Sequence, residues 1–225
     1  MAAHADQIVR VLDAPEHGFD DQGFHYTISH AGSWPRQTTV DAAPAYPHDE
    51  QLARAELAHL QRVAPLPFPL AIYLLSHEAR SRTNAHYDDG YSREGEQIEI
   101  AGVKRYPPIG CIVLSAKRIP IHPAMTRYLV SHEYGHGVMY HLARLRGIDD
   151  SKLLTAYVDE CRPDTKRTYG CGRWHSNVGE LFANDFRILV AEREREFWPH
   201  PGFARPDENL AVVGFWTQAL KELLV

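Results

Sequence analysis

Apolar positions recur at helical spacing along much of this chain, and short apolar runs separate the helical stretches. Leu52, Leu57, Leu60 and Val63 form one stripe, and Asp49 stands where a cap is needed, so residues 49–63 predict a helix. The prolines of "PLPFPLAIYLLSH" stop it, and the apolar run at 70–75 predicts a buried strand. Residues 76–96, with "TNAHYDDGYSREGE", read as a long polar surface loop. "QIEIAGV" alternates like one half-buried strand, and "GCIVLSAK" at 110–117 predicts a second, rich in β-branched residues. The longest helix spans 123–146, with proline at its first position and Gly147 just past its end. "SKLLTAYVDEC" predicts another helix, and "RPDTKRTYGCGRWHSN" a loop of turn formers. A strong helix follows from 178 to about 196, and an apolar helix from about 210 ends the chain. Upstream, "FHYTISHAGSW" has room for a short strand, and "DAAPAYPHDE" is a proline-rich connector. No repeat interrupts the order, and strands followed by helices are an α+β pattern.

The bulk numbers narrow this reading. A chain of 225 residues is long enough for one well-cored domain with at most a small appendage. The expected division is an N-terminal extension at 1–48 and one compact domain at 49–225. Hydrophobic content of 44% and charged content of 24% are those of an ordinary globular protein. No apolar run approaches the ~20 residues that span a bilayer, and the N-terminus lacks the basic and apolar regions of a secretory signal. The net charge of −5, with no basic stripe, argues against nucleic acid as a partner. Three cysteines, an odd number, suit a reducing compartment better than a disulfide framework. The expectation is a cytoplasmic protein with neither a membrane nor a nucleic-acid partner.

The long helix carries "SHEYGHG" at 131–137. Residues four apart share a helix face, so the His132 and His136 imidazoles point the same way and can bind one metal ion. Glu133 lies one step round, beside the ion but off the ligand axis, where a carboxylate can take a proton from water. HExxH on a helix is the pattern of a zinc site with glutamate as general base. The motif is short, and a histidine-rich chain can also carry it by chance on a solvated face. The flanking glycines weigh against that. Gly135 and Gly137 each cost about 1 kcal/mol against alanine in a helix interior. The cost implies a gain, such as the close approach of another backbone or room beside a metal.

A catalytic zinc keeps three protein ligands and an open position. A third histidine six residues after His136 is ruled out, because Leu142 stands there. His141 lies about 140° around the helix. The best third ligand is Glu180 in "GELFANDFR", near the start of a later helix whose dipole suits a carboxylate. One turn on, Asn184 can accept the second N–H of a ligand imidazole. A first-turn glutamate serving the dipole alone is the plainer alternative.

"SHEYGHG" and "ELFANDFR" together resemble the gluzincin peptidases, in which a glutamate on a later helix completes HExxH. The likeness extends to the catalytic domain of anthrax lethal factor and its relatives, with their HEFGH helix, Tyr-Gly-Arg loop and E-F-F-A-E-A-F-R helix. Glu180, Phe182, Ala183, Phe186 and Arg187 match that last helix position for position, and "TYGCGR" at 168–173 is similar to the loop. The likeness covers about residues 120–190. It implies a zincin-like fold with a small mixed sheet, an active-site helix and C-terminal helices. It also implies one Zn2+ per chain, held by His132, His136 and Glu180, and peptide hydrolysis with Glu133 as base. The family tyrosine that stabilises the tetrahedral intermediate points to Tyr169, with His175 as the other choice. Asn184 stands where the family has a carboxylate, and Tyr169 lies farther from Glu180 than its counterpart. In zincins the strand before the active-site helix is commonly the sheet edge. The strand at 110–117 is therefore expected to take a protein or peptide substrate as an added extended strand, with the loop at 76–96 as the opposite wall.

Asp164 in "PDTKRTYG" is similar to the third ligand of aspzincins, at the wrong spacing, and "GCIVLS" around Cys111 is similar to the deformylase cysteine segment without that family's glycine-rich motif. A different class of function is a zincin fold kept for binding or regulation. The intact Glu133 speaks for catalysis. A toxin or effector protease delivered into another cell is suggested by the family likeness, and an intracellular peptidase fits as well.

Overall fold

The computed structural model describes residues 10–13, 45–67, 70–74, 85–89, 98–100, 103–105, 110–163, 177–200 and 202–224. Five α-helices carry most of the regular structure among these: α1 (Glu50–Val63), α2 (Pro123–Leu145), α3 (Asp150–Cys161), α4 (Val178–Leu189) and α5 (Leu210–Leu223). Six short strands accompany them: β1 (Arg10–Asp13), β2 (Leu70–Leu74), β3 (Ala85–Asp89), β4 (Ile98–Ile100), β5 (Val103–Arg105) and β6 (Gly110–Leu114). The chain divides into two compact units, Met1–Leu57 with Pro67–Val130, and Ala58–Leu66 with Ser131–Val225. The expected boundary at residue 48 is not where it divides, because β1 pairs in parallel with β2.

The first unit holds a four-stranded sheet in the order β1-β2-β6-β3. β2 and β6 run parallel in the middle, and their apolar residues Leu70, Ile72, Leu74, Ile112 and Leu114 are buried. Two expectations change here. Part of the polar stretch 76–96 is strand β3, antiparallel to β6 from Ala85↔Leu114 to Asp89↔Gly110. Its charged, five-residue sequence has weak strand propensity, and partner pairing supplies what propensity lacks. β6 therefore has a neighbour on both sides and no free edge, so it cannot take an extended substrate as an added strand. The edges of this sheet are β1 and β3. "QIEIAGV" contributes to two strands, since β4 and β5 pair antiparallel as a separate two-stranded sheet. The strand expected in "FHYTISHAGSW" lies outside the described residues.

The helix ends follow local chemistry. The Asp49 carboxylate accepts from the Leu52 N–H at 2.8 Å and caps α1. At the end of α2, Gly147 adopts φ 65°, its N–H donates to Arg144 O, and the Ile148 N–H donates to Ala143 O. This Schellman closure needs the left-handed conformation that glycine adopts without strain. Asp149 caps α3, accepting from Lys152 N, and Asn209 caps α5.

α4 ends at Leu189, short of the expected 196. The buried Arg187 guanidinium donates to the carbonyls of Arg193, Glu194 and Phe197 at 2.6–2.8 Å, which draws the following chain back over the helix. Glu192 and Glu194 take positive φ of 55° and 46° in that bend. Such strain costs on the order of 1 kcal/mol or more per residue, and charge-assisted hydrogen bonds of about 1.5–3 kcal/mol each offset it. Within the second unit, α3, α4 and α5 pack around Tyr157, Phe182, Phe186, Phe215 and Trp216, whose rings meet in tilted and edge-on contacts such as Phe182–Trp216 at 4.7 Å.

Candidate metal centre

Within the second unit, α2 and α4 approach each other closely at Gly135. An added Cβ at Gly135 would lie 2.9 Å from the Ala183 Cα and 3.0 Å from the Ala183 carbonyl oxygen. Only a residue without a side chain admits a backbone at that distance. The glycine one residue before His136 is thus the contact point for the helix that carries Glu180. Gly137 is buried too. Tyr134 faces away from the histidines. Its hydroxyl donates to the Ala64 carbonyl at 2.6 Å, and its ring stacks on Phe186 at 5.9 Å.

This crossing sets the geometry of the site. The His132 Nε2 lies 2.9 Å from Glu180 Oε2, and the His136 Nε2 lies 3.7 Å from Glu180 Oε1. The two imidazoles stand edge to face, 5.0 Å apart at their centroids. His132 is 3% exposed and the adjacent Glu133 6%. One ligand atom from each of His132, His136 and Glu180 falls within 4.8 Å of the others. Tetrahedral zinc with bonds of about 2.0–2.2 Å spaces its ligand atoms roughly 3.3–3.6 Å apart, so the two His–Glu distances bracket that value. Two imidazole nitrogens and a carboxylate also form a donor set that zinc accepts. The residues fit a divalent metal ion, and among the described residues no other such group of three stands together.

The electrostatics favour the ligand protonation states at two of the three positions. Burial pushes the Glu180 carboxyl up, but hydrogen bonds from His132 and His136 outweigh it and hold the group well below the usual carboxylate range. Burial lowers the His132 pKa, and the Glu180 bond does not compensate, so the ring is neutral at pH 7. For His136, the Glu180 hydrogen bond and charge, with the Glu133 charge, overcome burial and raise the pKa. A metal bound here would displace protons from the imidazole atoms that now face Glu180.

Local sequence explains how Glu180 comes to face α2. Asn177 caps α4, accepting from the Gly179 N–H at 2.9 Å. Glu180 is then the third helical residue, the position from which a glutamate ordinarily reaches back to the cap. Its carboxylate is instead committed to the two histidines.

Asn184 does not play the part expected of it. Its amide donates to the Glu180 carbonyl at 3.0 Å and contacts His200 Nε2 at 3.1 Å, while its oxygen accepts from Arg187 Nε. Packing of the 193–200 segment against α4 claims the side chain before a ligand imidazole can. Tyr169, His175 and Asp164 lie outside the described residues. The side chain of Cys111, in β6, does too. Cys161 is a buried free thiol, pushed up to about 11 chiefly by burial, and has no place at the site. The sequence reading missed Asp185 and Arg162, which form a fully buried ion pair at 2.6 Å behind α4. The available signal was an aspartate lying between Phe182 and Phe186 along the helix.

His132, His136 and Glu180 together form a cluster that could hold a metal ion, and the buried Glu133 follows His132 in the chain. Nothing among protein-family models, curated proteins or solved structures matches the chain, so the site stands on its own geometry. No helix among the described residues is long and apolar enough to cross a membrane.

Proposed function

We propose that this protein is a zinc-dependent metallopeptidase of the zincin type, with an α+β fold in which α2 is the active-site helix. The observation that supports the reading is the convergence of His132, His136 and Glu180 from two helices, with Glu133 next to them. His132, His136 and Glu180 hold one ion per chain. When bound, zinc supplies a Lewis acid and lowers the pKa of water from about 16 toward about 7. Glu133 takes the proton from the attacking water and delivers it to the leaving amine. Its burial keeps bulk water from competing for that proton. The likeness to the lethal factor relatives points to Tyr169 for the oxyanion, with His175 as the other candidate, a donor worth roughly 10²–10³-fold in rate. The substrate is a protein or peptide, and action in a cytoplasm, the protein's own or a recipient cell's, suits it.

The test is Glu133→Gln, with zinc content measured alongside N-terminal labelling proteomics of a treated lysate. The wild type should generate new N-termini. The variant should keep its zinc and lose turnover by roughly 10²–10⁴-fold. Equal turnover in both proteins would rule out Glu133 as the base. A zinc-loaded wild type that cleaves nothing would point to a binding or regulatory protein.

A further inference from the structure

α4 carries Glu180, and ten of its twelve residues are buried. Apolar contacts alone leave the rotation of such a helix about its axis loosely set, because one Leu or Phe contact is readily exchanged for another. The carboxylate sits about 6 Å from the axis, so a roll of about 10° moves it by about 1 Å. A metal site tolerates far less, about 0.2 Å in a ligand bond. Something directional has to hold α4.

That hold lies on the far side of the helix. Asp185 is five residues after Glu180, about 140° around α4. Arg162, the residue capping the end of α3, grips it with two bonds, Nη2 to Oδ1 at 2.6 Å and Nε to Oδ2 at 3.2 Å. The Tyr157 hydroxyl of α3 donates to the same Oδ2. The Arg162 Nη1 is satisfied by the Ala204 carbonyl at 2.6 Å, and the guanidinium lies 5.7 Å from the Trp198 ring centre. Arg162 and Asp185 are both wholly buried. A buried ion pair is weak evidence for stability, since apolar replacements of the same volume often serve as well or better. What it supplies that apolar groups do not is direction.

We propose that Asp185, clamped by Arg162 and Tyr157, is a positioning residue that fixes the roll of α4 and so holds the Glu180 carboxylate on the two imidazoles. Two of the contacts that hold α4 bear directly on Glu180. Gly135 sets how near it comes to α2, and the Asp185 clamp sets which way Glu180 faces. The inference rests on the metal-site reading above.

The test replaces the clamp with apolar groups, Tyr157→Phe, Arg162→Met and Asp185→Leu together, in the full chain. Zinc affinity is read by competition with a chelating dye, and the ligand field by the visible spectrum of the Co2+ form. The triple variant is expected to keep its far-UV circular dichroism and its Tm. Its zinc affinity should fall tenfold or more, and its Co2+ bands should weaken and shift. In a Glu180→Ala background the same three changes should cost no further affinity, because the clamp acts through Glu180. Zinc affinity within twofold of wild type, with an unchanged Co2+ spectrum, would overturn the proposal. If the triple variant does not fold, Tyr157→Phe alone decides, with a loss of about threefold expected and no loss overturning it. Failure of the wild type to bind zinc at all would sink the metal-site reading instead.

Discussion

Replacing Gly135 with alanine tests how the helix crossing builds the site. The new Cβ would meet the Ala183 Cα at 2.9 Å, its carbonyl oxygen at 3.0 Å and the Phe186 ring at 3.2 Å. Ordinary contact is about 3.5–4.0 Å, so α4 has to retreat by roughly 0.5–1 Å. Two of the three atoms are backbone and cannot swing aside. Alanine gains about 1 kcal/mol of helix propensity, and overpacking costs about 1–3 kcal/mol, which leaves a net loss of about 1 kcal/mol. The larger effect falls on Glu180, which lies 2.9 Å from His132 and 3.7 Å from His136 and moves away from both with the helix. Losing a group that orients a metal ligand costs about 10–100-fold in metal affinity, and a loss of that order is expected when Glu180 itself is shifted. Urea unfolding in the presence of a chelator reads the stability without metal, and a zinc competition titration reads the site. A variant that is stabilised by the full helix propensity and binds zinc as tightly as wild type would refute the close-crossing account of Gly135.

Two further outcomes follow from the same structure. Glu180→Ala should bind zinc far more weakly than wild type while Asp164→Ala binds it normally, measured by metal content after dialysis; the reverse pattern would move the third ligand to Asp164. His48 should make the protein acid-sensitive. Its ring is buried, within hydrogen-bonding distance of Thr126 Oγ1 at 2.8 Å, and burial holds its pKa down at about 4 against an ordinary 6.5. Between those values the unfolded chain binds the proton and the folded one does not. Stability contributed at neutral pH is therefore lost as pH falls from about 6.5 to about 4, by about 3 kcal/mol, with no further loss from this group below. Urea midpoints across that window should fall less steeply for His48→Gln. An unchanged slope would remove His48 as a source of the acid sensitivity.

The helices and the two histidines were legible because their signals are local. Periodicity, the Asp49 cap, Pro123 and Gly147 are all encoded within a turn or two of the elements they shape. Glu180 was legible because it stands in the first turn of a strongly periodic helix, where the dipole suits a carboxylate. Asn184 was misread for the opposite reason. Helical spacing says which way a side chain leaves its helix, but its partner comes from elsewhere, here His200 and Arg187. β3 was missed because "AHYDD" has little propensity of its own and becomes a strand by pairing with β6. That pairing also made β6 an interior strand. The last residues expected in α4 were lost to Arg187, whose donors hold the carbonyls of the chain beyond it.

By itself the sequence determined which side chains share a face, where helices begin and most of them end, and that a glycine cost beside His136 needed a reason. Only the tertiary structure decided what that reason is. The cost is met at one contact, Gly135 against Ala183, between residues 48 apart in the chain. That contact sets the distance from Glu180 to the imidazoles. No local pattern encodes it, because it depends on the volume of atoms from a different helix arriving at the same place.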